Sequence, residues 1–500
     1  MEFLSFDYSF IVSATLFILL GTFVGMLIGA LPGLGAMIAI ILFLPLTYNI
    51  SAINAILLLL ATYQAAEYGG SISSITLGIP GTPAAAATVL DGYPYAKKKS
   101  PGKALGYSLF SSTIGGIIGA LALFFISEPM AKFALQLSDP EFFLLALLGL
   151  LGVGAISSKD KIKSLISVIL GLMAGTVGMD TFTGTPRFTG GSINLLDGLS
   201  IVAVVTAVFA VTEILAMLHG KINDKPTFDS QKIKVKLTGN EIKETSKPTL
   251  IGSLLGTVIG IVPGLGSGAA SFFSYATARK ISKSPETFGK GNPEGITAAE
   301  SANNAAVGGA LLPLLSLGIP GSGPIAVIMG AFIIHGIQPG PQVFSQDPGL
   351  VYSIFIGFFL TTVAMYVVGR LLTPRFALVL SIPSSILIPI LLVLSIIGVY
   401  ASNSLYFDIW FALVLGIIAF ILIKLEFSVP AFILAFILSP IIETSLRRTL
   451  ILSEGSYSIF LTRPYSLSIL LFIIGLILFS TIPKIMKSKK MKDEDKGIVA

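Results

Sequence analysis

Five polar residues stand inside apolar sequence where ion chemistry is possible: Gln64 and Glu67 in the first half of the chain, and Glu300, Asn303 and Asn304 in the second. A carboxyl group in a membrane-depth segment is costly, so Glu67 and Glu300 read as cation ligands or proton carriers, and the three carboxamides supply neutral oxygens for a small alkali ion. The alternative for either glutamate is a helix-end residue facing headgroups or water. Beside these residues lie four glycine-proline breaks. Gly29-Ala-Leu-Pro-Gly-Leu-Gly35 matches Gly260-Ile-Val-Pro-Gly-Leu-Gly266, and Leu77-Gly-Ile-Pro-Gly81 matches Leu317-Gly-Ile-Pro-Gly321. Proline removes a backbone donor and stops a helix, while glycine accepts unusual dihedrals and lets a ligand approach the main chain. Helix ends left at such breaks present N–H groups and positive dipole to an anion. The candidate carboxylate-binding residues are therefore Pro32, Gly33, Gly35, Ser71, Gly81 and Thr82 in the first half. Their counterparts in the second are Pro263, Gly264, Gly266, Ser267, Gly321 and Ser322. Taken singly, each motif could be only a tight turn or a close helix contact. Asp91, in Asp91-Gly-Tyr-Pro94, reads as a turn residue.

The elements that must carry these residues are set by composition. Hydrophobic residues make up 54% of the 500 and charged residues only 12%, which excludes an ordinary soluble enzyme and requires solvation by lipid. Glycine is in excess, at 52 residues. With no cysteine and two histidines, disulfides, thiolate metal sites and a histidine metal cluster are excluded. There is no phosphate-binding G-x-x-x-x-G-K-[ST] loop and no soluble segment long enough for an ATPase. The net charge of +6 resides mostly in loop lysines, so nucleic-acid binding is not indicated.

Apolar runs predict spans over residues 103–127, 142–156, 162–179 and 196–218, then 350–372, 385–400, 409–423, 429–442 and 465–486. Lysines 97–99 and 103, lysines 159, 161 and 163, the seven lysines of 220–247, Lys424 and the C-terminal lysines fall on alternate connections. This places those loops inside, the N-terminus outside and the C-terminus in the cytoplasm. The same count puts Arg447, Arg448 and Arg463 outside. The expected architecture is an all-α polytopic membrane protein of about 11–14 membrane segments, built as two inverted repeats with broken helices or re-entrant hairpins. Its parts are a first repeat (1–218), a lysine-rich linker (219–248), a second repeat (249–446), an external connection with a final helix (447–486) and a tail (487–500). Inverted repeats with breaks at the midplane are the pattern of secondary transporters, and an ion or small-solute channel is the alternative.

The paired Pro-Gly-Leu-Gly and Gly-Ile-Pro-Gly motifs, with Gly291, Asn292, Pro293, Glu294 and Gly295 followed by Glu300, Ser301, Asn303 and Asn304, resemble the large membrane subunit of the tripartite tricarboxylate transporter family. The resemblance covers nearly the whole chain. It implies no enzyme activity, and uptake of citrate-like or other carboxylates across a prokaryotic cell membrane. The implied partners are a small four-helix membrane subunit and an extracytoplasmic solute-binding protein. The implied energy source is a sodium or proton gradient, with no cofactor beyond a sodium ion as the coupling ion. The segments from Gly29 to Gly81 and from Gly260 to Gly321 would form a mobile transport domain against a scaffold of flanking helices.

Overall fold

The computed structural model describes residues 10–31, 34–156, 160–219, 235–379 and 384–475. Its first half contains α1 (Phe10–Ala30), α2 (Gly35–Phe43), α3 (Ala52–Leu77), α4 (Ala86–Lys98), α5 (Pro101–Ala134), α6 (Asp139–Ile156) and α7 (Lys161–Gly175). A two-residue antiparallel pair, Gly178–Met179 with Pro186–Arg187, then leads into α8 (Ile201–Val205) and α9 (Thr212–His219), joined by a π-helical stretch. The second half contains α10 (Gly239–Ile261), α11 (Gly266–Ile281), α12 (Pro293–Leu317), α13 (Gly323–Ile334), the short α14 (Val343–Gln346), α15 (Pro348–Val379), α16 (Ser384–Asn403), α17 (Tyr406–Lys424) and α18 (Val429–Leu452). An apolar helix follows over Pro464–Gly475.

Six of the described helices are long and apolar enough to cross a membrane by length and composition. The all-α polytopic architecture is as expected. The helices outrun the expected limits in places: α10 begins at Gly239, inside the expected linker, because Thr238 and Glu241 form a reciprocal N-terminal cap. Likewise α18 continues to Leu452, past the expected end of the second repeat at 446. Met179, expected to end a span, lies in the strand pair, because α7 stops at Gly175. Of the expected final helix, residues 476–486 lie outside the described residues, as do residues 220–234 of the linker and the tail.

Two parallel helix pairs form the centre. Gly21, Gly25 and Gly29 of α1 lie on Leu58, Thr62 and Ala66 of α3, and Gly252, Gly256 and Gly260 of α10 lie on Ala298, Ala302 and Ala306 of α12. A glycine every fourth residue makes one smooth face, so the backbones close to contact and any added Cβ meets the partner's main chain. Each pair takes a third helix from the other half. Gly115 and Gly119 of α5 press on Ser301 and Ala305 of α12, and Gly357 and Gly369 of α15 lie on Leu57 and Tyr68 of α3. The contacts between α3 and α12 instead run in opposite order, Ser71 with Glu300 and Glu67 with Asn303. The two central helices are thus antiparallel.

Charged residues sort to two faces. At one, Arg447 pairs with Asp180 at 2.8 Å, Arg187 with Glu443 at 2.5 Å, Arg463 with Glu141 at 2.9 Å and Arg448 with Asp139 at 4.0 Å. The arginines that the lysine count places outside are therefore bound to the loops that it also places outside. The N–H groups of Phe182 and Thr183, with Arg447, hold the Asp180 carboxyl down at about 2. At the other face Lys103 pairs with Glu241, joining the start of α5 to that of α10. His219 stacks edge-on to Phe420 at 6.0 Å, a structural role.

Candidate functional site

The four breaks meet in the centre of the molecule. In the second half Gly264, with φ of +87°, donates its N–H to the Gly321 carbonyl at 3.0 Å, and Gly321 donates to Ala310 at 3.2 Å. The positive φ is open to glycine and strained for any branched side chain. In the first half Gly81 donates to Gly70 at 3.1 Å, and an added Cβ at Gly35 would come 3.8 Å from the Gly81 carbonyl. The halves also interlock: Gly268 of α11 lies against Pro83, and Met37 of α2 against Gly323. Pro32 and Gly33 lie outside the described residues.

The main-chain donors of Gly81, Gly264 and Gly321 are thus engaged in holding the breaks shut. The donors that remain are at helix starts. Neither α2, beginning at Gly35, nor α11, beginning at Gly266, has a side-chain cap, whereas Ser322 caps α13 through the Ile325 N–H. First-turn N–H groups have no intrahelical acceptor, so the uncapped α2 and α11 each carry positive dipole into the break region.

Glu67 and Glu300 are both buried, and their surroundings differ. Ser71, Thr88, Ser108 and Ser112 all donate to Glu300, Ser108 and Ser112 each at 2.9 Å. Four hydroxyls from α3, α4 and α5 fill the four lone-pair directions of that carboxylate. Glu67 accepts Ser267 at 2.9 Å on Oε1, the Thr82 hydroxyl also lies at the carboxyl, and Oε2 has no partner in hydrogen-bond geometry among the described residues. Asn303 donates to the Glu67 main-chain carbonyl at 3.4 Å, and Tyr63, one turn before Glu67, shares a 3.4 Å contact with Ser322. Thr82 packs on Gly70, one turn after Glu67. Around Glu67 the fold therefore assembles Ser267 at the start of α11, Ser322, Asn303 and Thr82. Ser71 is turned to Glu300, away from this group.

Gln64 and Asn304 are buried beside the site but bond to α15, through Thr362 and Met365. Asp91 corrects the turn reading: it lies inside α4, fully buried, and accepts Tyr275 at 2.9 Å and the N–H groups of Gly291 and Asn292, each at 2.8 Å. It ties the first half to the start of α12. Sequence reasoning also missed Tyr63, Thr88, Ser108 and Ser112. The one-turn spacing of Ser108 and Ser112 within a spanning helix was the available signal.

The difference between the glutamates gives a first expected result. Replacing Glu300 by leucine strands four buried hydroxyls, each worth about 1 kcal/mol or more unless it turns back to a carbonyl one turn earlier. A loss of about 3 kcal/mol is expected, read as a lowered midpoint of thermal unfolding in detergent, with Glu300→Gln milder because it keeps an acceptor. Equal stability of the leucine variant and the native protein would refute this role.

An all-α polytopic membrane protein with buried polar groups beside breaks in its central helices has the build of a membrane transport protein. The family model described as "Tripartite tricarboxylate transporter TctA family" matches residues 15–434, and the chain belongs to that family, whose members are transporter subunits. It is 35% identical over 472 residues, 94% of each chain, to the "uncharacterized 52.8 kDa protein in TAR-I ttuC' 3'region" of Agrobacterium vitis. It is 36% identical over 225 residues, 45% of this chain and 93% of the other, to the "uncharacterized protein in TAR-II ttuC' 3'region" of the same organism. No solved structure matches the chain.

Proposed function

We propose that this protein is the large membrane subunit of a secondary active transporter that imports tricarboxylates or other carboxylates into a prokaryotic cell. In this reading a sodium or proton gradient drives uptake. An extracytoplasmic solute-binding protein delivers the substrate, and a small membrane subunit completes the assembly in the cell membrane, with the N-terminus outside and the C-terminus in the cytoplasm. The observation that carries the reading is the uncapped start of α11, where Ser267 donates to the buried Glu67, whose Oε2 has no partner among the described residues, with the uncapped start of α2 lying at the Gly81 break.

The chemistry is anion binding by main-chain dipole with charge balance from a cation. A carboxylate gains about 0.3 to 2 kcal/mol at each helix start, and several such starts can hold a multiply charged acid without a basic side chain. Glu67 would repel that anion until a cation or proton neutralises it, and this makes binding of the two ligands interdependent. Opposed halves supply the symmetry for exposing one site to either side in turn.

Reconstitution tests the reading: proteoliposomes holding the chain, its small subunit and a supplied binding protein should take up labelled citrate or another carboxylate saturably. Uptake should collapse when an ionophore removes the sodium or proton gradient. Passive flux indifferent to both gradients would replace the carrier with a channel.

A further inference from the structure

Glu67 and Glu300 account for only part of the buried polar surface. Gln64 and Asn304, both fully buried, turn toward a third helix. Gln64 Nε2 donates to Thr362 Oγ1 at 3.3 Å, and Asn304 Nδ2 to Met365 Sδ at 3.7 Å. Thr362 and Met365 occupy one turn of α15, so two carboxamides from the antiparallel α3 and α12 rest on the same stretch of a third helix. Gly116 of α5 closes another side, where an added Cβ would meet Thr362 Cγ2 at 2.7 Å and also the Gln64 amide.

The acceptors fix which way each amide points. Thr362 donates its hydroxyl proton to the Phe358 carbonyl at 3.3 Å, so toward Gln64 it can only accept, and the Met365 sulfur has only lone pairs to offer Asn304. Both nitrogens are thereby committed. Gln64 Oε1 and Asn304 Oδ1 are left without a hydrogen-bond partner among the described residues. Carboxamide oxygens do not take up protons at ordinary pH, and as hard neutral donors they suit an alkali cation.

We propose that Gln64, Asn304 and Thr362 supply the oxygens of a second, charge-neutral site for a monovalent cation, separate from the one at Glu67. The proposal rests on the transport reading above and adds a stoichiometry: at least two sodium ions accompany each carboxylate. Because its ligands come from α3, α12 and α15, an ion there bridges the two opposed halves.

Binding of radiolabelled sodium to the purified full-length chain in detergent, together with sodium titration of carboxylate uptake in proteoliposomes, tests it. The native chain should bind about two ions, and the Hill coefficient for sodium should lie near about 2. Asn304→Ala and Thr362→Val should each remove one bound ion and lower the coefficient to about 1, while Glu67→Gln removes the other. Thr362→Val keeps the packing volume, so loss of an ion there cannot be ascribed to a collapsed fold. A single ion that is lost with Glu67→Gln and kept in both other variants would overturn the second site. Uptake driven by protons with no sodium bound would also overturn it, yet leave the carrier reading standing. Flux independent of either gradient would sink the carrier reading itself.

Discussion

Glu67→Gln is expected to abolish gradient-driven uptake while leaving the chain folded and inserted. The substitution keeps the shape of the side chain and the bond from Ser267 to its carbonyl oxygen, but removes the charge on a carboxylate that, alone among the described buried ones, has an oxygen without a partner. A charge-assisted contact to a bound cation is about twice as strong as a neutral one. Losing about 3 kcal/mol of ion binding weakens it about 100-fold, so uptake at fixed sodium or proton gradient should fall by that order. Substrate exchange across the membrane without net ion movement should be lost less. The measurement is initial uptake rate against ion concentration in proteoliposomes, with thermal unfolding as the check on folding. A variant with native ion dependence would remove Glu67 from the coupling site. The contrast with Glu300 sharpens the test, since replacement there should show first as lost stability.

The second large effect is expected at Gly81 and Gly321. A Cβ at Gly321 would come 2.6 Å from Ala310 Cα, 2.7 Å from the Ala310 carbonyl oxygen and 2.9 Å from that of Gly260. At Gly81 it would come 2.7 Å from Gly70 Cα and also strike the Gly29 carbonyl. Nearly all these neighbours are main chain, which cannot move aside as a side-chain tip can, and overpacking of this kind costs about 1–3 kcal/mol even where some relaxation is available. Valine at either position should therefore prise apart the break it closes and reduce transport below detection, with protein still found in the membrane fraction. Gly239, where an added Cβ meets nothing within 4 Å, serves as the control: Gly239→Ala should transport like the native chain. Native rates in Gly321→Val would mean that the breaks are not part of the transport site.

Much of this was legible in the sequence because the membrane simplifies the physics. Lipid cannot satisfy a backbone donor, so apolar runs near twenty residues had to be helices, and the Pro-Gly breaks between them had to be covered by protein or to line a cavity. The spacing of Gly21, Gly25 and Gly29, and of Gly252, Gly256 and Gly260, already described two faces for close packing. Loop lysines sorted the connections. The pairing of Arg447 with Asp180 and of Arg463 with Glu141 brings together residues that the count assigns to one face.

Which polar residue meets which was decided by the tertiary structure alone. Glu67 and Glu300 look equivalent in sequence, each a carboxylate in the middle of a largely uncharged helical stretch. Only packing gives one of them four hydroxyl donors from α3, α4 and α5 and leaves the other with an unused oxygen. The same holds for Asp91, which reads as a turn yet caps the start of α12 some 200 positions away, and for the shared seat of Gln64 and Asn304 on α15. The physical reason is that local sequence fixes backbone conformation through dihedral limits and solvent cost, quantities that belong to one segment at a time. Hydrogen-bond partners of buried groups depend on which helices come into contact and in what register. Here that register is set in part by glycines that let helices of the two halves close on each other, as Gly115 of α5 does on Ser301, next to Glu300.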